Sequence, residues 1–180
     1  MEHTTIYSFE NPMPDDKFTQ LFDIMERSFP KEEHGTFAMH RTEMSKPDFR
    51  CLCYEPDGIP AGFMNYYTFD GENIVFLEHF AVAQELRGNG AGSRLMQYLK
   101  EITAPKMIVL EVEPPEGDIQ RRRIAFYQRL GFYLNNGEYF QPAFYGNSSE
   151  LPLKLMSTEP MDGDKFKYVS NLIRRKAYDK

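Results

Sequence analysis

The sequence predicts a mixed α/β domain, a sheet with helices on its faces, and three observations carry that expectation. Phe18, Leu21, Phe22 and Met25 repeat at the spacing of one helical face, and Leu95, Leu99 and Ile102 do so again. The runs FRCLCYE and AGFMNYYTF flank a turn at Pro56-Asp57-Gly58, the signature of a hairpin. MIVLEVE is apolar on consecutive residues, as a strand covered on both faces should be.

In chain order, TTIYSF opens as a strand and NPMPDD punctuates it before the first helix, with Asp15 as its N-cap. Phe29-Pro30 ends that helix. KEEHG is a charged connection into a shorter helix from Thr36 to Met44, which Lys46-Pro47-Asp48 stops. After the hairpin, a turn at Asp70-Gly71-Glu72-Asn73 leads into the strand IVFLEHFAV and then a glycine-rich segment. The second strong helix follows, with Tyr98 beside its apolar face, and MIVLEVE runs to Pro114-Pro115. Asp118 caps a helix through IQRRRIAFYQRL in which Ile124, Tyr127 and Leu130 share a face, and Gly131 is its stop. EYFQPAFY and PLKLMS read as strands, and an amphipathic helix from about Asp164 closes the chain. The order is β-α-α-β-β-β-α-β-α-β-β-α. Without an internal repeat or linker, residues 1–180 read as a single domain.

Composition narrows the function. A chain of 180 residues suits one core, and 26 Phe plus Tyr with no Trp fill it with flat rings. A net charge of -6 argues against general nucleic-acid binding, which needs a surplus of Lys and Arg, and mildly favours a cationic substrate. Cys51 and Cys53 share a strand face and cannot easily bridge, and without His or Cys partners at ligand spacing no metal is expected. No basic region or long apolar stretch follows Met1, and no run approaches the ~20 apolar residues of a membrane span, so a cytoplasmic protein is expected.

RGNGAG, residues 87–92, lies between a strand and a helix. That placement aims unpaired N–H groups and the positive end of a helix at one point, which makes an anion site. Arg87 adds charge at the rim, Asn89 tolerates unusual dihedrals, and Gly88, Gly90 and Gly92 let a diphosphate come close. A P-loop would need Lys after the last glycine, where Ser93-Arg94 stands. A dinucleotide fold would place its first glycine directly after the strand, whereas four residues intervene, although Glu111 lies at about the distance of a ribose-binding carboxylate. The pyrophosphate of coenzyme A is the third candidate.

FAVAQELRGNGAGSRLM, followed by a strand and then IAFYQRLGF, resembles the GCN5-related N-acetyltransferase (GNAT) superfamily. Arg87, Gly90 and Gly92 stand at the places of its Gln/Arg-x-x-Gly-x-Gly/Ala loop, and the aromatic-Tyr-x-x-x-Gly-Phe helix end is a second, independent motif. The resemblance implies a mostly antiparallel, twisted sheet of about seven strands, helices on both faces and a splayed parallel pair of strands four and five. It also implies acetyl-coenzyme A as cosubstrate and an amine acceptor, and a homodimer is compatible with it. Phe80, Ala81 and Val82 would offer backbone groups to the pantetheine arm, while the loop through Ala91, Gly92 and Ser93 would hold the phosphates. Gln120 stands where the family often has a cofactor-contacting Asn, and Arg123 replaces a small residue. The run Arg121, Arg122 and Arg123 reads as a solvated face, with a cofactor phosphate as the alternative.

Acyl transfer to an amine needs a base, because an alkylammonium of pKa ~10.4 is about 3 pH units from losing its proton at neutral pH. Glu111 is the first candidate, set among Val109, Leu110 and Val112, where burial would raise its proton affinity. Glu78 competes for the role, because a regular strand puts it on the face of Phe80 and Val82 and puts His79 on the opposite one. Tyr127 falls where the resemblance implies a tyrosine bonding the departing sulfur; by periodicity alone it is a core residue. Glu113 and Glu116 read as solvated loop charges. For the acceptor, Glu32 and Glu33 are candidate cation contacts and Tyr139, Phe140, Phe144 and Tyr145 candidate walls, while a small cationic amine and a protein amine both stay open. The alternative from another class is a non-catalytic acyl-coenzyme A binding or sensing domain, which would keep the loop and need neither Glu111 nor Tyr127.

Overall fold

In the computed structural model, which describes residues 1–30, 35–143 and 149–178, eight strands form one mixed sheet. β1 (Thr4–Ser8), β2 (Phe49–Tyr54), β3 (Gly62–Phe69) and β4 (Ile74–Val82) are neighbours in chain order and antiparallel. β5 (Met107–Val112) joins β4 in parallel, and β8 (Leu151–Ser157) returns antiparallel to β5. The short β6 (Tyr133–Leu134) and β7 (Tyr139–Gln141) pair with β8. The count exceeds the expected seven because β6 is two residues long, too short for alternation to register in sequence.

Helices cover both faces. On one, α1 (Asp15–Ser28) contributes Phe18, Leu21, Phe22 and Met25, and α5 (Gly163–Ile173) contributes Phe166, Val169, Leu172 and Ile173. The short α2 (Phe37–Glu43) sits between them in sequence and buries His40 and Glu43. On the other, α3 (Ala91–Thr103) buries Leu95, Met96 and Leu99, and α4 (Asp118–Arg129) buries Ile124 and Tyr127. Ile102, placed on the α3 apolar face by its spacing, is exposed, and Met96 packs instead. Strand alternation sorts the sheet residues in the same way: Phe63 and Tyr67 enter the first layer, Met64 and Tyr66 the second.

The helix caps differ from expectation by one residue. Pro14 and Gly117 occupy the N-cap positions of α1 and α4, so Asp15 and Asp118 are first-turn carboxylates that favour the helix dipole without capping it. Thr36 caps α2, accepting from the Met39 N–H at 3.3 Å. Phe29 is extended before Pro30 and ends α1. Cys51 and Cys53 are buried free thiols on one face, as read from their spacing. Buried Glu55 accepts from the Tyr7 hydroxyl at 3.0 Å and from Lys17 Nζ at 2.6 Å, which ties β1 and α1 to the end of the hairpin. No helix among the described residues is long and apolar enough to cross a membrane.

Two irregularities in β4 position everything functional. Tyr66 pairs with Leu77 and Asn65 with His79, so Glu78 is the extra residue of a β-bulge. The parallel pairing with β5 also stops there, at Leu77 opposite Leu110, although β5 runs on to Val112 and β4 to Val82. The two strands therefore splay beyond Leu77, and the backbone of residues 78–82 is left without a partner strand on that side.

Candidate active site

The bulge overturns the face assignment drawn from a regular strand. Phe80 and Val82 pack into the layer of α3 and α4, whereas Glu78 and His79 both face the layer of α1, α2 and α5. Glu78 Oε2 stands 3.5 Å from His79 Nδ1, and the Glu78 side chain is only 2% exposed. The His79 ring meets Phe29 at 5.1 Å and His40 at 5.3 Å between centroids. Glu78 thus shares no face with Phe80, and His79, which alternation turns away, becomes a lining residue of the site.

On the other side of the splay, a cleft of about 540 Å³ runs from the glycine loop along β4. Phe80, Ala81, Val82, Leu86, Phe126 and Tyr127 wall it, and Arg87, Arg123 and Arg129 bring three guanidinium groups to it. The positive φ angles fall on Gly88 (84°) and Gly90 (73°), so Asn89 does not need the tolerance expected of it. Gly90 is the N-cap of α3 and supplies no side chain, which leaves the first N–H groups of the helix open toward the cleft. At Gly92 a Cβ would stand 3.3 Å from the Phe80 ring, a tight contact that a side chain could make only by pushing that ring aside. A diphosphate at the helix end and an apolar arm along β4 fit these residues, and Ala91 and Ser93 line the same wall.

Arg87 is turned inward from the rim. Its Nε donates to the Val82 carbonyl at 2.9 Å and its Nη2 to Ser28 Oγ at 3.0 Å, so it links the splayed strand to the end of α1. Gln120, for which a cofactor contact is implied, donates to Glu113 Oε1 at 3.1 Å. Glu113 also pairs with Arg123, so it is not a free loop charge. Arg121 is occupied with the Pro115 and Glu116 carbonyls and Asp118, while Arg123 borders the cleft and the two cavities beyond it.

A cavity of about 240 Å³ adjoins the cleft past Tyr127 and reaches Glu78 and Glu111, and a smaller one, sharing Phe29, adds His79, Glu113 and Gln141. Tyr127 is buried, and desolvation pushes its hydroxyl up to about 12 against the nearby Arg123 charge. Glu111 receives hydrogen bonds from the Tyr139 hydroxyl on Oε1, and from Gln141 Nε2 at 2.9 Å and the Tyr178 hydroxyl at 2.7 Å on Oε2. Burial pushes this carboxyl up to about 7, opposed by the Tyr139 and Tyr178 bonds, reinforced by the negative Glu78, and opposed again by Gln141. The rise anticipated from the apolar flanks is present, but its surroundings on this face are phenols and an amide. Tyr139, expected as a wall, is a partner of Glu111; Gln141 and Tyr178 carry no sequence signal at all. Phe140 is exposed, and Glu32, Glu33, Phe144 and Tyr145 lie outside the described residues. Among the described residues no group of three or more His, Cys, Asp or Glu side chains is placed to hold a metal.

Comparison with known proteins agrees with this geometry. A Bacillus subtilis (strain 168) protein, "Putative acetyltransferase YjbC", is 31% identical over 113 residues, 62% of this chain and 55% of that protein, so the chain spans about half the length of that relative. A solved structure described as a "Putative acetyltransferase from GNAT family from Bacteroides thetaiotaomicron" superimposes with a TM-score of 0.85 and 29% identity over 97% of each chain. The fold also matches an aminoglycoside 6'-N-acetyltransferase complexed with coenzyme A, at a TM-score of 0.63 and 21% identity over 88% of this chain and 99% of the other. Residues 18–132, which carry the splayed strands, the glycine loop and the tyrosine of α4, match the acetyltransferase (GNAT) family, and the chain belongs to it.

Proposed function

We propose that the protein is an acetyl-coenzyme A dependent N-acetyltransferase that moves the acetyl group to a primary amine by direct transfer. The observation that carries the reading is continuity. The cleft at the glycine loop and the cavity at Glu111, a buried carboxylate that titrates near neutral pH, share the walls Phe80, Ala81, Val82, Arg87, Arg123 and Tyr127. Coenzyme A supplies the activated thioester. Gly88, Gly90, Ala91, Gly92 and Ser93 hold its diphosphate on backbone N–H groups, and the strand edge at Phe80, Ala81 and Val82, where the Val82 carbonyl already accepts from Arg87, bonds the pantetheine arm.

Glu111 takes the first ammonium proton, directly or through a water; the nitrogen then bonds to the carbonyl carbon, the C–S bond breaks, and the second proton shed by nitrogen as the amide forms passes to the departing thiolate or to solvent. Tyr127 stays protonated and donates a hydrogen bond to the departing thiolate, so it stabilises charge and need not transfer its proton. Glu78 adds a second negative charge beside the incoming ammonium. Both cysteines are buried away from the channel, which favours direct transfer over a covalent enzyme intermediate.

The test pairs calorimetry with coenzyme A and acetyl-coenzyme A with a thiol-release assay over a panel of small polyamines, aminoglycosides and peptide N-termini. Binding with amine-dependent release supports the reading. Binding with no release across the panel favours a sensing domain, and no binding of either cofactor form removes both.

A further inference from the structure

Glu111 is held by a set of hydrogen-bond donors that alternation and motif analysis do not reveal. They come from two separate elements. Tyr139 and Gln141 are alternate residues of β7 and share a face of that short strand. Tyr178 arrives from the other direction. Helix α5 does not stop at Ile173 but runs into a π-helical turn, Arg174–Tyr178, in which Ala177 and Tyr178 are buried. Such turns carry an extra residue per hydrogen-bonded loop and re-aim the side chains that follow, and they recur at functional sites. The Tyr178 hydroxyl reaches Glu111 Oε2 at 2.7 Å and also accepts from Gln141 Nε2 at 2.8 Å, which closes the ring of contacts.

We propose that Tyr139, Gln141 and Tyr178 are positioning residues that favour the ionised form of Glu111 against its burial and leave Oε1 as the one oxygen open to the acceptor proton. A carboxylate has about four acceptor positions, and three are filled, one on Oε1 and two on Oε2. The remaining position lies on Oε1, the oxygen bonded by Tyr139. The clamp does not itself titrate in the working range. Burial and the neighbouring Glu111 charge hold both phenols well above their ordinary value, and Gln141 has no proton to lose. The other charged or titratable groups facing Glu111 are Glu78 and His79 on β4, Glu113 just past the end of β5, Arg87 of the glycine loop, and Arg123 and Tyr127 of α4. Arg174, at the start of the π turn, acts on Tyr139. None of these donates a hydrogen bond to Glu111 among the described contacts, whereas the three clamp residues do.

The inference rests on the reading of Glu111 as the base, and the experiment separates the two. Tyr178→Phe keeps the ring and removes one donor, and Gln141→Leu removes another from the opposite element. Two readouts are taken on each variant: the acid limb of kcat/KM against pH with the best amine of the panel, and the titration of the Glu111 carboxyl by carbon-13 NMR on Glu-labelled protein. A hydrogen bond to an ionised group is worth about one pH unit of proton affinity or more. Each variant should therefore move the acid limb and the NMR titration upward together by about one unit, and the Tyr139→Phe/Tyr178→Phe double variant should move them further.

Calorimetric affinity for coenzyme A, which involves none of these groups, should stay within about twofold. An upward NMR titration with an unmoved acid limb would keep the clamp and remove Glu111 as base. A fall in rate at every pH, with neither titration moved in the folded Tyr178→Phe and Gln141→Leu variants, would overturn the clamp.

Discussion

Replacing Glu111 by Gln tests the base and the cost of burying it in one protein. The carboxyl titrates at about 7, so wild-type kcat/KM should rise about tenfold per pH unit below that value and level off above it. The variant has to draw free amine from solution. With an ammonium pKa of ~10.4, fewer than about one molecule in a thousand is deprotonated at neutral pH, a penalty of roughly 4 kcal/mol. Loss of a general base is worth about 10²- to 10⁴-fold, and the deficit at pH 7 should fall in that range. Above neutrality it should shrink by about tenfold per pH unit as free amine accumulates.

Stability should move the other way. The folded-state value of about 7 lies above the ordinary 4.5, so the folded protein binds this proton more tightly than the unfolded chain does. The contribution of Glu111 to stability is therefore fully present below about pH 4.5 and is lost as the pH rises through about 7. The difference corresponds to about 3 kcal/mol of destabilisation at pH 8, and Glu111→Gln should recover a large part of it there and little at pH 4.5. Thiol release between pH 6 and 10 and thermal melts between pH 4.5 and 8 read the two effects. Parallel rate profiles for the two proteins, or a change in Tm that is the same at every pH, would refute the reasoning.

Tyr127→Phe should lower kcat by about 10- to 10²-fold, the worth of one hydrogen bond to a charged group, and by the same factor from pH 6 to 10, because the hydroxyl titrates at about 12. A deficit that recovers with pH would assign the tyrosine to proton transfer. Gly90→Ala puts a Cβ at φ 73°, 3.3 Å from Arg94 Nη1, and should cost roughly 1–2 kcal/mol of stability together with weaker coenzyme A binding by calorimetry. Gly58→Ala, at φ +79° in open space and away from the cleft, should lose stability alone. Lys17→Met strips buried Glu55 of its ammonium partner and should lower Tm by several degrees, on the order of 1–3 kcal/mol, while Tyr7→Phe costs less because the ion pair survives.

Much of this arrangement is legible in the sequence, for identifiable reasons. Helical spacing at Phe18, Leu21, Phe22 and Met25, and alternation in the hairpin strands, report burial directly, because side-chain direction follows from backbone period. Glycines at positive φ and a helix start with no capping side chain are local features, so the loop at residues 87–92 announces an anion site without tertiary information. Glu111 and Tyr127 were accessible as candidates because one sits in an apolar run and the other in a motif.

Alternation failed at Glu78 and His79. A one-residue bulge inverts the pattern on one side of it, and a bulge is set by how β3 and β4 pair, not by the residues of β4 alone. The same is true of the acceptor side. Tyr139, Gln141 and Tyr178 come from β7 and the π turn, 28, 30 and 67 positions from Glu111 along the chain, and no spacing rule connects them. By itself the sequence determined the layers, the glycine loop and the carboxylate proposed as the base. Only the tertiary structure decided which groups surround that carboxyl and oppose the effect of its burial, because proton affinity depends on groups brought together by folding rather than on neighbours in the chain.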